Sequence, residues 1–352
     1  MDGVYPKEAA ASTARAHARW WPALLGLGLV GVSWLRALSV GPPAGHAGSQ
    51  SPTGPSTVHA EEAFQSIDAL VSARQFDAAE RLFQKNLSAA NAASAYLRLG
   101  SIYFDHEEWS RAAAALQRSL ELNGHSDRAH LLLGLTWREL KKPDDAEAEL
   151  QKAVQDDPRS ETNAYFAGHQ LMIDEKYEAA LVYLYKAVKL NSADARALRA
   201  LGMVQARMGS YGLAESYYRK AAEVAGATPD AAAAYTDLAF LLLLENDPVK
   251  AEDALRCAQK AARLNPSLPG THYLAGKALF KLGRLPQAVE ELREAEKLNP
   301  DDSKPHFLLS QAYDRLGEHQ KADAERKALA LSKAHAPTAG AAGGSSLPAD
   351  SK

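Results

Sequence analysis

The sequence predicts an all-α chain built as a row of stacked antiparallel helix pairs, and three observations predict it. Gly100, Gly134, Gly168 and Gly202 follow one another at intervals of 34 residues. The alanines Ala112, Ala146, Ala180 and Ala214 keep the same interval of 34. The composition agrees, with 46% hydrophobic residues, abundant alanine and only 7% aromatics, which suits closely packed helices better than a large sheet core. A fixed period of this size marks small structural units that lean on their neighbours. A chain of 352 residues would otherwise suggest two domains or so, but a stack can lengthen without a new core.

Charge and cysteine content narrow the function. A net charge of -3 gives no global attraction to nucleic acid, so none is expected as a partner. One cysteine, Cys257, rules out an internal disulfide framework and any cysteine-rich metal site.

Taken in order, residues 1–19 carry Lys7, Arg15 and Arg19, and an apolar run follows from Trp20 to Leu35. Arg36 ends it, and Ala37-Leu38-Ser39 gives a small-x-small pattern. A basic start, a short apolar core and small residues resemble a secretory signal. The run is short for a membrane helix, but Ala37–Val40 can extend it while Arg36 snorkels. Residues 1–40 are therefore expected to be a cleaved signal peptide or a single transmembrane anchor, with Trp20–Val40 as the tether. Either places the rest of the chain outside the cytosol, periplasmic or secreted, or held at the membrane. Residues 41–59 are expected to form a disordered linker, since Gly41–Ser56 is rich in Gly, Pro and Ser.

The array is expected over residues 60–335. Its first unit, near Ala60–Asn91, lacks the glycine phrase, as an end unit with one uncovered face can. Four regular units follow, opened by phrases such as Tyr96-x-x-Leu99-Gly100-x-x-Tyr103 and His130-x-x-Leu133-Gly134-x-x-Trp137. The small residues let the two helices of a hairpin approach, while Leu116 and its equivalents fill the space around the contact. Polar stretches at Asp105–Trp109, Lys141–Asp145, Asp174–Tyr177 and Met208–Tyr211 read as the turns. The next two units, with Ala239 and Gly276 in the small position, each start 37 residues after their predecessor. The three extra residues predict second helices about a turn longer, around Ala214–Ala225 and Ala251–Leu264, protruding at one edge. The last unit, opened by His306, carries Arg326 where the pattern wants a bulky apolar residue. A charged second helix at Glu318–Ala334 is the polar face with which a stack ends. Residues 336–352 are Ala/Gly/Ser-rich and are expected to be a disordered tail.

These phrases, with Pro158, Pro266 and Pro300 closing their units, resemble the tetratricopeptide repeat. Departures are Gln205 for an aromatic, Gly124 and Ser192 for the closing proline, and Arg326. The resemblance implies a right-handed α-solenoid with a concave groove lined by the first helix of each pair, and a role in binding proteins or peptides. Carried across position by position, the peptide-binding groove comprises Phe104, Arg128, Leu131, Leu135, Arg138, Tyr165, His169, Met172, Arg196, Arg199, Met203, Arg207, Phe240, Tyr273, Lys277, Phe280, Lys281 and Phe307. Five central arginines stand against Glu139 alone, so an acidic partner with apolar anchors is expected. The family's carboxylate clamp of Lys and Asn is not matched.

No catalytic constellation, metal site or cofactor is expected. Gly270–Lys277 has the wrong spacing for a phosphate loop and lacks the hydroxyl after Lys277. His125 and His130 are five apart with no third ligand in sequence, and read as incidental. His272 and His306 take matched places and read as packing or rim residues, and Cys257 reads as a small buried residue. Asn86-Leu87-Ser88 matches a glycosylation sequon but falls in a predicted helix. The sequence thus predicts a non-catalytic protein-interaction scaffold, exported or membrane-tethered. The alternative is an accessory subunit of an envelope enzyme, secretion or assembly complex, making contact through the longer helices.

Overall fold

The computed structural model describes residues 55–245 and 247–335, and sixteen α-helices and no strands lie among the described residues. The expected signal or anchor, residues 41–54 of the expected linker, and the tail lie outside them, while linker residues 55–59 are helical. Helix α1 starts at Pro55, ahead of the expected start of the array at Ala60. No helix among the described residues is long and apolar enough to cross a membrane.

Two compact units divide the chain at Ala214/Glu215. The first holds α1 (Pro55–Ser72), α2 (Phe76–Asn86), α3 (Ala92–Asp105), α4 (Trp109–Leu122), α5 (Asp127–Glu139), α6 (Pro143–Asp156), α7 (Glu161–Ile173), α8 (Tyr177–Leu190) and α9 (Ala195–Arg207). Helix α10 (Tyr211–Ala225) contains the boundary. The second unit continues with α11 (Pro229–Leu242), α12 (Pro248–Leu264), α13 (Pro269–Lys281), α14 (Leu285–Leu298), α15 (Ser303–Arg315) and α16 (His319–His335).

Within each unit the helices pack as hairpins: α3 on α4, α5 on α6 and α7 on α8 in the first, α11 on α12, α13 on α14 and α15 on α16 in the second. Each hairpin also packs on the next, as α4 on α5 or α14 on α15, and first helices touch first helices, as α5, α7 and α9 do. The hairpin contact is made by the residues the period singled out. A Cβ placed on Gly134 would lie 2.7 Å from Leu150 Cγ, and one on Gly100 2.6 Å from Leu116 Cγ. Gly168 meets Leu184 and Gly276 meets Leu292 in the same way. The four leucines are completely buried, as are Ala112, Ala146, Ala180 and Ala288. The contact is close because one partner has no side chain, so the backbones approach to within van der Waals reach of a leucine.

Helix ends repeat with the same period. Ser126 and Ser160 cap α5 and α7 by accepting the amide N–H of Ala129 and Asn163, and Asp194 caps α9 by accepting those of Arg196 and Ala197. Four hairpin turns of the N-terminal unit close with an amide donating back five residues: Glu108 to Tyr103, Lys142 to Trp137, Lys176 to Leu171, Ser210 to Gln205. This closure needs a left-handed residue just after the helix. Gly209, Gly283 and Gly317 supply it at φ +80, +74 and +77, but Glu107, Lys141 and Glu175 sit there with side chains, at φ +61, +60 and +59.

The insertions divide differently from the expectation. Helix α12 has 17 residues against 14 for α4, α6, α8 and α14, so its extra turn is present. Helix α10 has only 15. The extra length there goes instead to the start of α11, which opens at Pro229, ten residues before Ala239, where α9 opens seven before Gly202. Gly226, left-handed at φ +64, stops α10, and Pro229 restarts the helix at its first position.

The last helix ends the stack as expected. Arg326 is half-exposed and pairs with Asp314 and Asp323, both at 2.7 Å, in the register where the earlier hairpins bury a leucine.

Candidate functional site

In the N-terminal unit the first helices α5, α7 and α9 adjoin, and they bring together five of the expected groove residues. The Arg196 guanidinium lies 5.0 Å from the centre of the Tyr165 ring, and the Tyr165 and His169 rings are 5.6 Å apart. Tyr165 and His169 stand one helical turn apart on α7, so their rings share a face. Arg138 of α5 and Arg199 of α9 act electrostatically on His169 from either side. Burial, reinforced by these two arginines, drives the His169 pKa down to about 3. The imidazole is therefore neutral at ordinary pH, and its Nδ1 is buried without a hydrogen-bond partner among the described residues. Burial raises the Tyr165 pKa against the pull of Arg196, Arg199 and Arg138.

The basic surplus is smaller than the sequence suggests. Arg138 Nε donates to Glu139 at 3.2 Å, and Arg196 makes a bidentate pair with Asp194, both bonds 3.1 Å. Asp194 was missed because it lies outside the helix, at the cap, where its carboxylate serves the backbone and Arg196 together. Arg128 and Arg207 are half-buried on the same set of helices.

Other groove candidates lie deeper. Phe104, Leu131, Leu135, Met172 and Met203 are buried in the N-terminal unit, and Phe280 in the C-terminal one. Phe104 packs edge-on against Trp109 at 5.3 Å. In the C-terminal unit Phe240, Tyr273 and Lys277 are half-buried, Lys281 is exposed, and Phe307 is 51% exposed. Lys277 lies 5.9 Å from the Phe240 ring centre, and Arg315 lies 4.4 Å from that of Phe280.

Three first-helix histidines outside this face hydrogen-bond to glutamates. His130 Nδ1 meets Glu149 at 2.6 Å, His272 meets Glu291 at 2.9 Å and His306 meets Glu325 at 2.7 Å. In each pair the glutamate lies 19 residues on, in the second helix of the same hairpin. The shared interval was legible, but a separation of 19 joins two residues only once the hairpin register is known. Burial opposes the charge on His130 most strongly, yet the bonds from Glu149 and Gly124 and the fields of Glu149 and Asp156 outweigh it, and its pKa is raised. Asp156 approaches both His125 and His130, at 3.3 Å and 3.6 Å.

Glu296, His306 and Glu325 bring three possible metal-ligand atoms together. Arg293 pairs with both carboxylates, at 2.6 and 2.7 Å, so the group is held as an ion-pair network. Cys257 is buried on α12, and burial raises its thiol pKa, which keeps it a thiol rather than a nucleophilic thiolate. Asn86 closes α2 by donating to the Leu82 carbonyl.

Family profiles described as tetratricopeptide repeat match residues 64–122, 97–161 and 193–264, and one described as TPR repeat matches 276–317. Together they cover more than half of the chain. The chain belongs to the tetratricopeptide repeat family. This tetratricopeptide repeat protein is similar to a chain of the APC/C hetero-tetramer Cut9-Hcn1, with 17% identity, a TM-score of 0.55 and 72% of this chain covered. It spans only 46% of that chain's length. It is also similar to PilW, a widely conserved type IV pilus biogenesis factor, with 20% identity, a TM-score of 0.54, and coverage of 62% of this chain and 98% of that one. A third similarity is to the C-terminal part of a TPR repeat-containing protein from Cytophaga hutchinsonii, at 15% identity and a TM-score of 0.53, covering 68% and 96%. At these identities the likeness concerns the fold. No curated protein matches the sequence.

Proposed function

We propose that this tetratricopeptide repeat protein is a non-catalytic interaction scaffold that receives an acidic protein segment on its first-helix face. The observation that carries the reading is the convergence of Arg138, Arg196 and Arg199 around Tyr165 and His169. Guanidinium groups over an aromatic surface suit carboxylates flanked by apolar side chains, because each Arg offers paired donors and the rings give contact area at little entropic cost. His169 stays neutral beside them, so it competes for no anion. The N-terminal segment fits export, with Trp20–Val40 either removed or retained as a tether, and the partner is then extracytoplasmic.

The test is affinity capture by the tagged protein from an extracytoplasmic fraction, with mass measurement of the mature N-terminus. Replacing Arg196, Arg199 and Arg207 together by Glu is expected to abolish partner capture while circular dichroism keeps its helical signal. Undiminished capture by the folded variant would remove the face from consideration. The extra turn of α12 favours a second reading, contact through the longer helices. Crosslinking from exposed Arg263 rather than from Arg199 would decide for it.

A further inference from the structure

We propose that His130 is a proton-dependent clasp between two hairpins of the N-terminal unit. As imidazolium it ties the turn between α4 and α5 to helix α6. On losing a proton it releases the turn, so the junction of the two hairpins loosens as the pH rises.

His130 is buried in the first turn of α5, and both of its ring nitrogens face oxygen. Nδ1 lies 2.6 Å from Glu149 Oε2 on α6, and Nε2 lies 3.2 Å from the Gly124 carbonyl oxygen in the turn before α5. A carbonyl and an ionised carboxylate only accept, so both nitrogens must donate, and only imidazolium has two N–H groups. Burial pushes the Glu149 pKa up, but the bonds from His130 and Lys152 hold it below the ordinary carboxylate value, so the glutamate is ionised. Asp156 Oδ2 is buried without a hydrogen-bond partner among the described residues, and it faces the imidazolium charge 3.6 Å from Nε2. The other charges on the helices around the ring are engaged elsewhere. Lys152 of α6 donates to Glu149 at 2.9 Å, and His125 of the turn meets the other Asp156 oxygen at 3.3 Å. Arg118 and Glu121 of α4 pair at 2.5 Å, Arg98 of α3 pairs with Glu61 of α1, and Asp127 accepts from Asn163 of α7 at 3.2 Å.

A neutral ring has a single N–H. The carboxylate is the stronger acceptor, so the remaining proton stays on Nδ1 and the Gly124 bond is the one given up. The Nε2 lone pair then faces the carbonyl oxygen and Asp156, which repel it, and the turn loses its tie to α6. The raised pKa of His130 sets the direction: the clasp is complete below the ordinary 6.5 and is lost as the pH rises through the higher folded value. His272 and His306 reach their glutamates through Nδ1 alone among the described residues, and a neutral ring serves there. The same register shows that a hairpin can do without the proton. Tyr96 and Tyr235 have Ala115 and Ala254 nineteen residues on, while Ala164 and Leu198 have Tyr183 and Tyr217. None of those pairs titrates near neutrality.

Hydrogen exchange in the full chain tests the clasp through the Ala129 and His130 amides, which both donate to Ser126 at the junction. Corrected for the intrinsic exchange rate, their protection is expected to fall about tenfold between about pH 6 and about pH 9, the change that one unit of pKa elevation produces. The double variant His130→Tyr, Glu149→Ala installs the pair that the chain already carries at Tyr96 and Ala115. It is expected to keep the helical signal and to show protection that does not change with pH. A pH dependence that persists in the folded variant assigns the effect to another group and overturns the proposal, as does flat protection in the wild type. Should the variant unfold, the wild type decides alone. In histidine-labelled protein the His130 ring resonance is expected to titrate with a midpoint above 6.5, and a midpoint at or below 6.5 overturns the clasp.

Discussion

Gly134 shows how much rests on a missing side chain. A methyl group there would lie 2.7 Å from Leu150 Cγ and 3.1 Å from the Ala146 carbonyl oxygen, and the second of these is backbone that cannot swing aside. Alanine gains about 1 kcal/mol of helix propensity over glycine, while overpacking costs roughly 1–3 kcal/mol. The steric cost prevails, so Gly134→Ala is expected to lower the urea midpoint, by about 1 kcal/mol of stability. Gly212 is the control on α10, with nothing within 4 Å of an added Cβ. Gly212→Ala is expected to raise the midpoint by up to about 1 kcal/mol, since propensity acts there alone. Equal effects at the two glycines would refute the close-contact account. The period alone identified Gly134 as special, because only steric contact at every hairpin requires a small residue at that interval. It could not identify the histidine–glutamate pairs, whose partners lie on different helices.

At the scale of the element, the turns hold stored strain. Left-handed backbone costs an L-residue about 1–2 kcal/mol, and Glu107, Lys141 and Glu175 bear that cost where Gly209, Gly283 and Gly317 avoid it. Lys141 is exposed, so its replacement disturbs no packing. Lys141→Gly is expected to stabilise the protein by about 0.5–1 kcal/mol, the relief being partly offset by the greater freedom of glycine in the unfolded chain. Thermal melts of the two proteins would measure it, and a lower melting temperature for the variant would contradict the reading. Helix lengths were less legible than turns. The extra residues before α11 could extend either flanking helix, and Gly226 and Pro229 decided in favour of α11 by stopping one helix and starting the next.

For the whole molecule, stability is expected to add up along the stack rather than come from one core, since within each unit hairpins pack on their neighbours. Deleting residues 303–352 should leave a folded, shorter array with a smaller dependence of unfolding free energy on urea, because less surface is exposed. Global unfolding of that fragment would instead show that α15 and α16 hold the unit together. The sequence by itself determined the fold class, the glycines that meet a leucine at the hairpin contacts, and the charged end at Arg326. Periodic burial writes those features into every repeat, and a pattern repeated in register is readable without coordinates. Tertiary structure alone decided which charges meet across helices: Glu149 on His130, and the two arginines flanking His169. Those pairings join separate helices, so they depend on how hairpins are set side by side, and a period specifies recurrence without specifying which side chains face one another.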